Sequence, residues 1–111
     1  MNVDLPVARA LFRELTPPFK NQGWQLAMFG SVIKNGEGRD LDLVAFPWVD
    51  RPTAPRDTMS MAGLQPDLEP YFGLLDTECH KVLHRGVALD IQFRLAGTSF
   101  SRTLTERHQP R

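Results

Sequence analysis

The chain has 111 residues, of which 41% are hydrophobic and 23% charged, and these proportions are ordinary for one globular domain. Its 13 basic and 13 acidic side chains cancel at neutral pH, which argues against non-specific binding to duplex DNA. A single cysteine, Cys79, and N-terminal residues without a long apolar run indicate no internal disulfide, no secretion signal and no membrane span, so a cytoplasmic location is expected.

The first predicted element is a helix over residues 5–15. Its apolar residues recur at helical spacing: Leu5, Ala8, Leu11, Phe12 and Leu15. Asp4 suits the N-cap position, and Pro6 is tolerated in the first turn. Because proline disfavours the helical conformation of the residue before it, the proline pair that follows Thr16 predicts that the helix ends there.

A strand, a helical turn and a second strand are predicted next. Residues 24–29 form a short apolar run after a turn-forming cluster, and we expect a buried strand there. One helical turn is expected over residues 31–35, ended by Gly36 in the left-handed conformation. The second strand is predicted over residues 40–46, and it ends at Pro47.

The middle of the chain is rich in proline. Residues 47–70 contain five of the nine prolines, and they predict a loop with a short helix near residues 56–64. Residues 67–75 are expected to form one or two helical turns that bring apolar side chains inward.

The last predicted element is a β-hairpin. Residues 79–84 and 87–94 alternate between apolar and polar side chains and are separated by an Arg-Gly turn. The predicted domain therefore covers residues 1–95. Residues 96–111 are rich in Ser, Thr, Arg and Pro, and we expect a loosely ordered tail there.

Three acidic residues occupy strand positions that are flanked by apolar residues. Asp40 and Asp42 are two apart on one predicted strand, so their side chains point to the same face, and Asp90 lies on the second strand of the hairpin. Neighbouring carboxylates repel one another, and a divalent cation relieves that repulsion. If the three side chains converge, they suit a site with two Mg²⁺ ions for phosphoryl or nucleotidyl transfer.

The residues between the two strands suit phosphate binding. Gly30 has no side chain to keep a phosphate away from the backbone, and Ser31 offers a hydroxyl and an amide at the start of a helical turn. Lys34 and Arg39 flank the loop and are candidates for contact with a triphosphate. A solvated charge is an interpretation at least as good for each of them.

The motif residues, in order, are Gly30-Ser31, eight further residues, Asp40-Leu41-Asp42-Leu43, and Asp90 on a later strand. This set resembles the signature of the DNA polymerase beta-like nucleotidyltransferase superfamily, and most of all its minimal single-domain members. The likeness covers residues 24–93. It implies an α/β (α+β) fold with a small mixed β-sheet and helices on one side.

The resemblance also implies a nucleoside triphosphate substrate, in the first place ATP, together with Mg²⁺. The implied reaction transfers a nucleoside monophosphate to a hydroxyl of a protein, an RNA or a small molecule. The family pattern assigns Gly30 and Ser31 to phosphate binding, and Asp40, Asp42 and Asp90 to metal binding and catalysis. A chain this short has no obvious acceptor-binding domain, so a homodimer or a partner protein is expected to complete the acceptor site.

Two other functions stay open. The fold can serve as a non-catalytic nucleotide-binding or antitoxin-like interaction module, or as a structural domain without a nucleotide site. In the structural domain each acid has its own explanation: Asp40 is a cap or pairs with Arg39, while Asp42 and Asp90 are surface acids on sheet faces. The position of Asp90 discriminates between these functions, because catalysis needs its carboxylate beside the other two.

The histidines of the hairpin are of a residue type that binds zinc, but their spacing on the predicted strand excludes a shared zinc ion. His80 and His84 are about 13 Å apart on an extended strand, too far to share one ion with Zn–N bonds of about 2 Å. We therefore expect ordinary, partly exposed strand residues, with Lys81 or His84 as a further candidate for a phosphate contact. Trp24 and Trp48 are expected to be packing residues.

Overall fold

The computed structural model describes residues 2–65, 71–73 and 77–95 of the chain. In chain order its elements are β1 (Val3–Asp4), α1 (Leu5–Asn21), β2 (Trp24–Phe29), α2 (Ser31–Asn35), β3 (Glu37–Gly38), β4 (Asp40–Pro47), α3 (Pro55–Met61), β5 (Tyr71–Gly73), β6 (Thr77–His84) and β7 (Val87–Arg94). Helices and strands are mixed, which confirms the predicted α+β class. The predicted tail, residues 96–111, lies outside the described residues. In the described part of the chain, every helix falls short of the length and apolar character needed to cross a bilayer.

Among the described residues, five strands form the main sheet, in the order β2-β4-β7-β6-β5, and β1 pairs with β3 in a separate two-stranded ribbon. β4 and β7 run parallel, whereas the other neighbours are antiparallel, so the sheet is mixed as expected. A parallel pair needs a long crossover connection. Here the crossover from β4 to β7 contains α3, β5 and β6.

The core lies between α1, α3 and one face of the main sheet. Buried apolar residues of these elements form one cluster, which includes Leu11, Leu15, Phe19, Leu26, Leu41, Leu43, Met59, Leu89, Ile91 and Phe93. The ring of Phe93 lies 5.7 Å from that of Phe19 and 4.9 Å, edge-on, from that of Trp24. Because strand side chains alternate, the residues between these core positions point to the opposite face of the sheet.

The first helix is longer than predicted. α1 continues through Pro17 and Pro18 to Asn21, so the expected end at Thr16 is wrong. Proline inside a helix removes a hydrogen bond and clashes with the preceding turn, which costs about 3 kcal/mol. The extension buries Phe19 completely, which is worth about 1.5–3 kcal/mol. Two backbone hydrogen bonds also close the C-terminal end of the helix, so packing and capping both act against the cost of the two prolines.

Several predicted element ends are confirmed. Asp4 caps α1 by accepting a hydrogen bond from the backbone N–H of Val7 at 3.1 Å. α2 ends at Gly36, which has a left-handed φ of 86°. The hairpin turns at Arg85 and Gly86, whose φ angles of 53° and 76° are typical of the tight turn that matches strand twist. α3 lies within the proline-rich region where a short helix is predicted.

β2 is an edge strand. Trp24 and Leu26 are buried, but the other four residues are intermediate or exposed, so the prediction of a buried strand holds only for these two. Trp24 at its start packs as predicted, and its indole N–H donates to the carbonyl of Thr53 at 2.8 Å. Trp48 is also predicted to pack, but it is 53% exposed. Its indole N–H donates to the carbonyl of Lys20 at 3.1 Å.

The helical turns predicted over residues 67–75 are wrong where the structure describes that segment. Tyr71–Gly73 is strand β5, paired antiparallel with β6 at the edge of the sheet. Its hydrogen-bond partners come later in the sequence, so the local pattern of apolar residues does not reveal them. The rest of the predicted segment lies outside the described residues.

We expect Phe19→Ala to lower the free energy of unfolding by about 3–5 kcal/mol, because the change opens a cavity beside Phe93. Val7→Ala is the control on the same helix, and since Val7 is 41% exposed it should cost less than about 0.5 kcal/mol. Urea denaturation followed by tryptophan fluorescence measures both changes. Equal losses in the two variants would contradict the extension of α1 into the core.

Candidate active site

The parallel register of β4 and β7 brings the three predicted acids together. Asp42 is paired directly with Asp90, and Asp40 is paired with Ala88. Neighbouring strands lie about 4.8 Å apart, and paired residues point to the same face of a sheet. Asp40, Asp42 and Asp90 therefore form one group, the acid cluster, on the face opposite the helical layer.

The charges of the acid cluster act on one another. The pKa of Asp42 is raised above its ordinary value, first by burial, then by the negative charge of Asp90 and then by that of Asp40. The positive charge of Lys81 acts in the opposite direction. The ionised form of Asp42 is therefore unfavourable in this fold, as the predicted repulsion between carboxylates requires.

Gly30 packs directly against the acid cluster. It lies at the end of β2 with a φ of 85°, a conformation that favours glycine. A Cβ atom at this position would overlap the carboxylate of Asp42. The sequence predicts that Gly30 makes room for a phosphate, whereas in the structure it already makes room for Asp42.

Ser31 begins α2 immediately after Gly30. It lies two residues after Phe29, which pairs with Asp42 across β2 and β4. Its side chain is exposed, as are those of Lys34 and Arg39. Among the described residues, no ion pair joins Arg39 to Asp40, so that explanation of Asp40 finds no support. Gly30, Ser31 and the acids thus lie together, while Lys34 and Arg39 are at the surface of the same loop.

Lys81 also belongs to this site, although the sequence indicates it only as a further candidate for a phosphate contact. It lies on β6 directly across from Asp90 in the antiparallel register of the hairpin. The signal in the sequence is alternation, because Lys81 lies between His80 and Val82, which both point into the core. Lys81 therefore adds a positive charge to the face that carries the three acids.

A cavity of ≈ 360 Å³ opens beside the acid cluster, on the side of β6 and β7. Its lining residues are Asp40, Lys81, Val82, Leu83, Ala88, Leu89 and Asp90. The volume is near the lower end of the range of small-molecule sites, about 300–1,000 Å³. The cavity combines two acids, one base and apolar surface, which suits a polar ligand of modest size.

The chemistry of the acid cluster suits Mg²⁺, which prefers carboxylate oxygens as ligands. In the part of the chain that the structure describes, no group of three or more His, Cys, Asp or Glu side chains already has the spacing to hold a metal ion. The three aspartates share one face and adjacent positions. Rotation of their side chains is therefore required before their oxygens can share a cation.

The hairpin histidines point away from the acid cluster. His80 is fully buried on the helical side, where its Nε2 lies 2.6 Å from Oε2 of Glu78, so the expected partial exposure is wrong for His80. The Nε2 of His84 lies 3.1 Å from Oε2 of Glu14 on α1. This contact removes His84 as a candidate for phosphate binding, since it faces the opposite side of the sheet.

We expect Asp42→Asn to stabilise the protein near pH 7 by about 0.5–1 kcal/mol, the size of interactions between partly exposed charges. Because the folded-state pKa of Asp42 is raised, the folded state holds this proton more tightly than the unfolded state does. Stability from this group is therefore present at low pH and is lost as the pH rises through the folded-state pKa. The gain from Asp42→Asn should vanish near pH 3.

Calorimetric melting temperatures of the wild-type protein and Asp42→Asn between pH 3 and pH 7 measure this difference. Asp50→Asn is the matched control, because Asp50 is an exposed acid in the loop after β4. A variant that melts below the wild-type protein at pH 7 would show that ionised Asp42 stabilises the fold.

Comparison of the chain with protein-family models, with curated proteins and with solved structures found no match. The resemblance to nucleotidyltransferases therefore rests on the residues of the motif alone. The feature that bears on it most directly is the pairing of Asp42 with Asp90 beside Gly30.

Proposed function

We propose that this chain is a metal-dependent nucleotidyltransferase that moves a nucleoside monophosphate from a nucleoside triphosphate, in the first place ATP, to an acceptor hydroxyl. The bond between the α- and β-phosphates breaks, pyrophosphate leaves, and the hydroxyl loses its proton. The single observation that carries the proposal is the register of β4 and β7, which pairs Asp42 with Asp90. The motif alone requires a third acid somewhere downstream. An unrelated surface acid would not be expected to lie directly beside Asp42. The position of Asp90 there is therefore an observation independent of the motif.

Each residue of the site has a role in the proposed reaction. Asp40, Asp42 and Asp90 would hold Mg²⁺, which when bound neutralises the charge on phosphate oxygens and makes an acceptor hydroxyl more acidic. Asp90 orients that hydroxyl or accepts its proton. Gly30 keeps the space beside Asp42 clear, and Ser31 donates a hydrogen bond to a phosphate oxygen.

The two sides of β4 suit the two substrates. Gly30 and Ser31 lie on the β2 side, and the cavity lined by Asp90 and Lys81 lies on the β7 and β6 side. Phosphoryl transfer proceeds with the attacking and leaving oxygens roughly in line on opposite sides of the phosphorus atom. We therefore assign the triphosphate to the β2 side and the acceptor hydroxyl to the cavity.

The cavity is small, so most of a protein or RNA acceptor must contact other surfaces. A second copy of the chain or a partner protein is proposed to supply them. A small-molecule acceptor needs only the cavity itself. The proposed reaction belongs in the cytoplasm, where ATP is available and a lone cysteine such as Cys79 stays reduced.

A second candidate function is nucleotide binding without turnover, as in a sensor or an antitoxin-like interaction module. One observation favours it: among the described residues, the acids are not already spaced to hold a metal ion. A module of this kind keeps the Gly30-Ser31 turn for phosphate but does not need Asp90. The two functions therefore differ in what the loss of Asp90 does.

Transfer is tested by incubating the purified chain with ATP labelled at the α-phosphate, Mg²⁺ and total cell lysate as the source of acceptors. We expect label to move to an acceptor, and Asp42→Asn or Asp90→Asn to reduce the rate at least about 100-fold, a loss of roughly 3 kcal/mol of transition-state stabilisation. Asp50→Asn is the matched control and should keep full activity. With ATP labelled at the γ-phosphate, adding the purified chain should give no labelled acceptor beyond the background of the lysate alone.

The outcomes separate the two functions. Label that moves equally well with Asp42→Asn contradicts the proposed mechanism. Binding of ATP with no transfer, unchanged by Asp90→Asn, supports the non-catalytic module. The absence of both binding and transfer contradicts both proposals and leaves the structural domain.

A further inference from the structure

The loop between the Gly30-Ser31 turn and Asp40 contains a glycine that lies against Ser31. A Cβ atom at Gly38 would lie 2.6 Å from the Oγ atom of Ser31 and 3.2 Å from Cγ2 of Val32. Gly38 does not have a positive φ, unlike Gly30 and Gly36, so its backbone conformation is open to other residues. The structure therefore requires a residue without a side chain at this position, and it does not require the backbone flexibility of glycine.

The backbone of Gly38 is held in place from the other side. Gly38 pairs with Val3 in the ribbon formed by β1 and β3, and Val3 is buried in the core. The neighbouring N–H of Leu5 donates to the carbonyl of Gly36 at 3.1 Å. A shift of Gly38 away from Ser31 would disturb these contacts.

The hydroxyl of Ser31 is the atom that is free to move. It is the end of an exposed side chain with one rotatable bond, whereas Val32 beside it is fully buried. A side chain at Gly38 would therefore turn the Ser31 hydroxyl into another rotamer. Its Cβ atom would also lie 3.2 Å from Cγ2 of Val32 and 3.3 Å from Cβ of Ser31, so these atoms would have to shift slightly.

We propose that Gly38 is a positioning residue, whose missing side chain keeps the Ser31 hydroxyl in the rotamer that binds a phosphate oxygen of the nucleotide. This inference rests on the proposed function, since it assigns a partner to Ser31. It gives the N-terminal strand β1 a role in the site, because β1 holds Gly38 against Ser31. The family motif does not include Gly38.

The test compares Gly38→Ala, Ser31→Ala and the double variant by their affinity for ATP with Mg²⁺, measured by isothermal titration calorimetry. We expect each single variant to bind ATP about 10-fold more weakly, as expected for a lost hydrogen bond to a charged group. The double variant should bind no more weakly than Ser31→Ala, because Gly38 acts through the hydroxyl. The melting temperature of Ser31→Ala should stay close to that of the wild-type protein, whereas that of Gly38→Ala should fall because its Cβ atom lies tightly against the buried Val32.

Gly36→Ala is the matched control in the same loop. Gly36 has a positive φ of 86°, and apart from its chain neighbours no atom of the described residues lies within 4 Å of a Cβ position. Alanine there therefore strains the backbone without contacting Ser31. We expect a lower melting temperature with unchanged affinity for ATP. A loss of affinity that follows stability alone would appear in Gly36→Ala and would overturn the inference.

Three further results have distinct meanings. If the wild-type protein binds ATP and Gly38→Ala binds it equally well, the inference about Gly38 is wrong and the proposed function stands. If Gly38→Ala weakens binding as much in the Ser31→Ala background as in the wild-type protein, Gly38 does not act through the hydroxyl. If the wild-type protein does not bind ATP, both the inference and the proposed nucleotide site fail.

Discussion

The parallel pairing of β4 with β7 puts the carboxylates of Asp42 and Asp90 side by side, and the rest of the acidic face depends on this register. Two like charges on adjacent strands oppose folding, and burial of Asp42 adds to the cost. The register is fixed from the other side of the sheet, where Leu41, Leu43 and Ile91 are buried. A slip by one residue would exchange the buried and exposed faces, so the core holds the acids together.

Two residues next to the acids accommodate this repulsion. Gly30 leaves space for the carboxylate of Asp42, and Lys81 on β6 faces Asp90 across the hairpin. Such an arrangement stores an unfavourable interaction in the folded state, which a bound cation would relieve. Sites that sacrifice stability in this way are typical of function, since a purely structural sheet gains nothing from paired aspartates.

The loop between β2 and β4 connects the acid cluster and the Gly30-Ser31 turn to the N-terminal strand β1. Gly30 contacts Asp42, Gly38 contacts Ser31, and β1 pairs with β3 to close the loop from outside. The short helix α2 is thus held at both ends, by β2 before it and by the ribbon after it. A fixed backbone of this kind would favour the proposed phosphate contact, because preorganised donors lose little entropy when a ligand binds.

The sequence by itself determined most of the local elements and the residues of the motif. Their signals depend on residues close by in the sequence: strand alternation, the N-cap Asp4, the helix end at Gly36 and the hairpin turn. Only the tertiary structure decided that α1 passes through Pro17 and Pro18, since the burial of Phe19 against Phe93 comes from residues far along the chain. The same holds for strand β5, the fully buried His80 and the role of Lys81. The meeting of Asp90 with Asp42 required the crossover from β4 to β7, whose register is set by core packing and not by any local pattern.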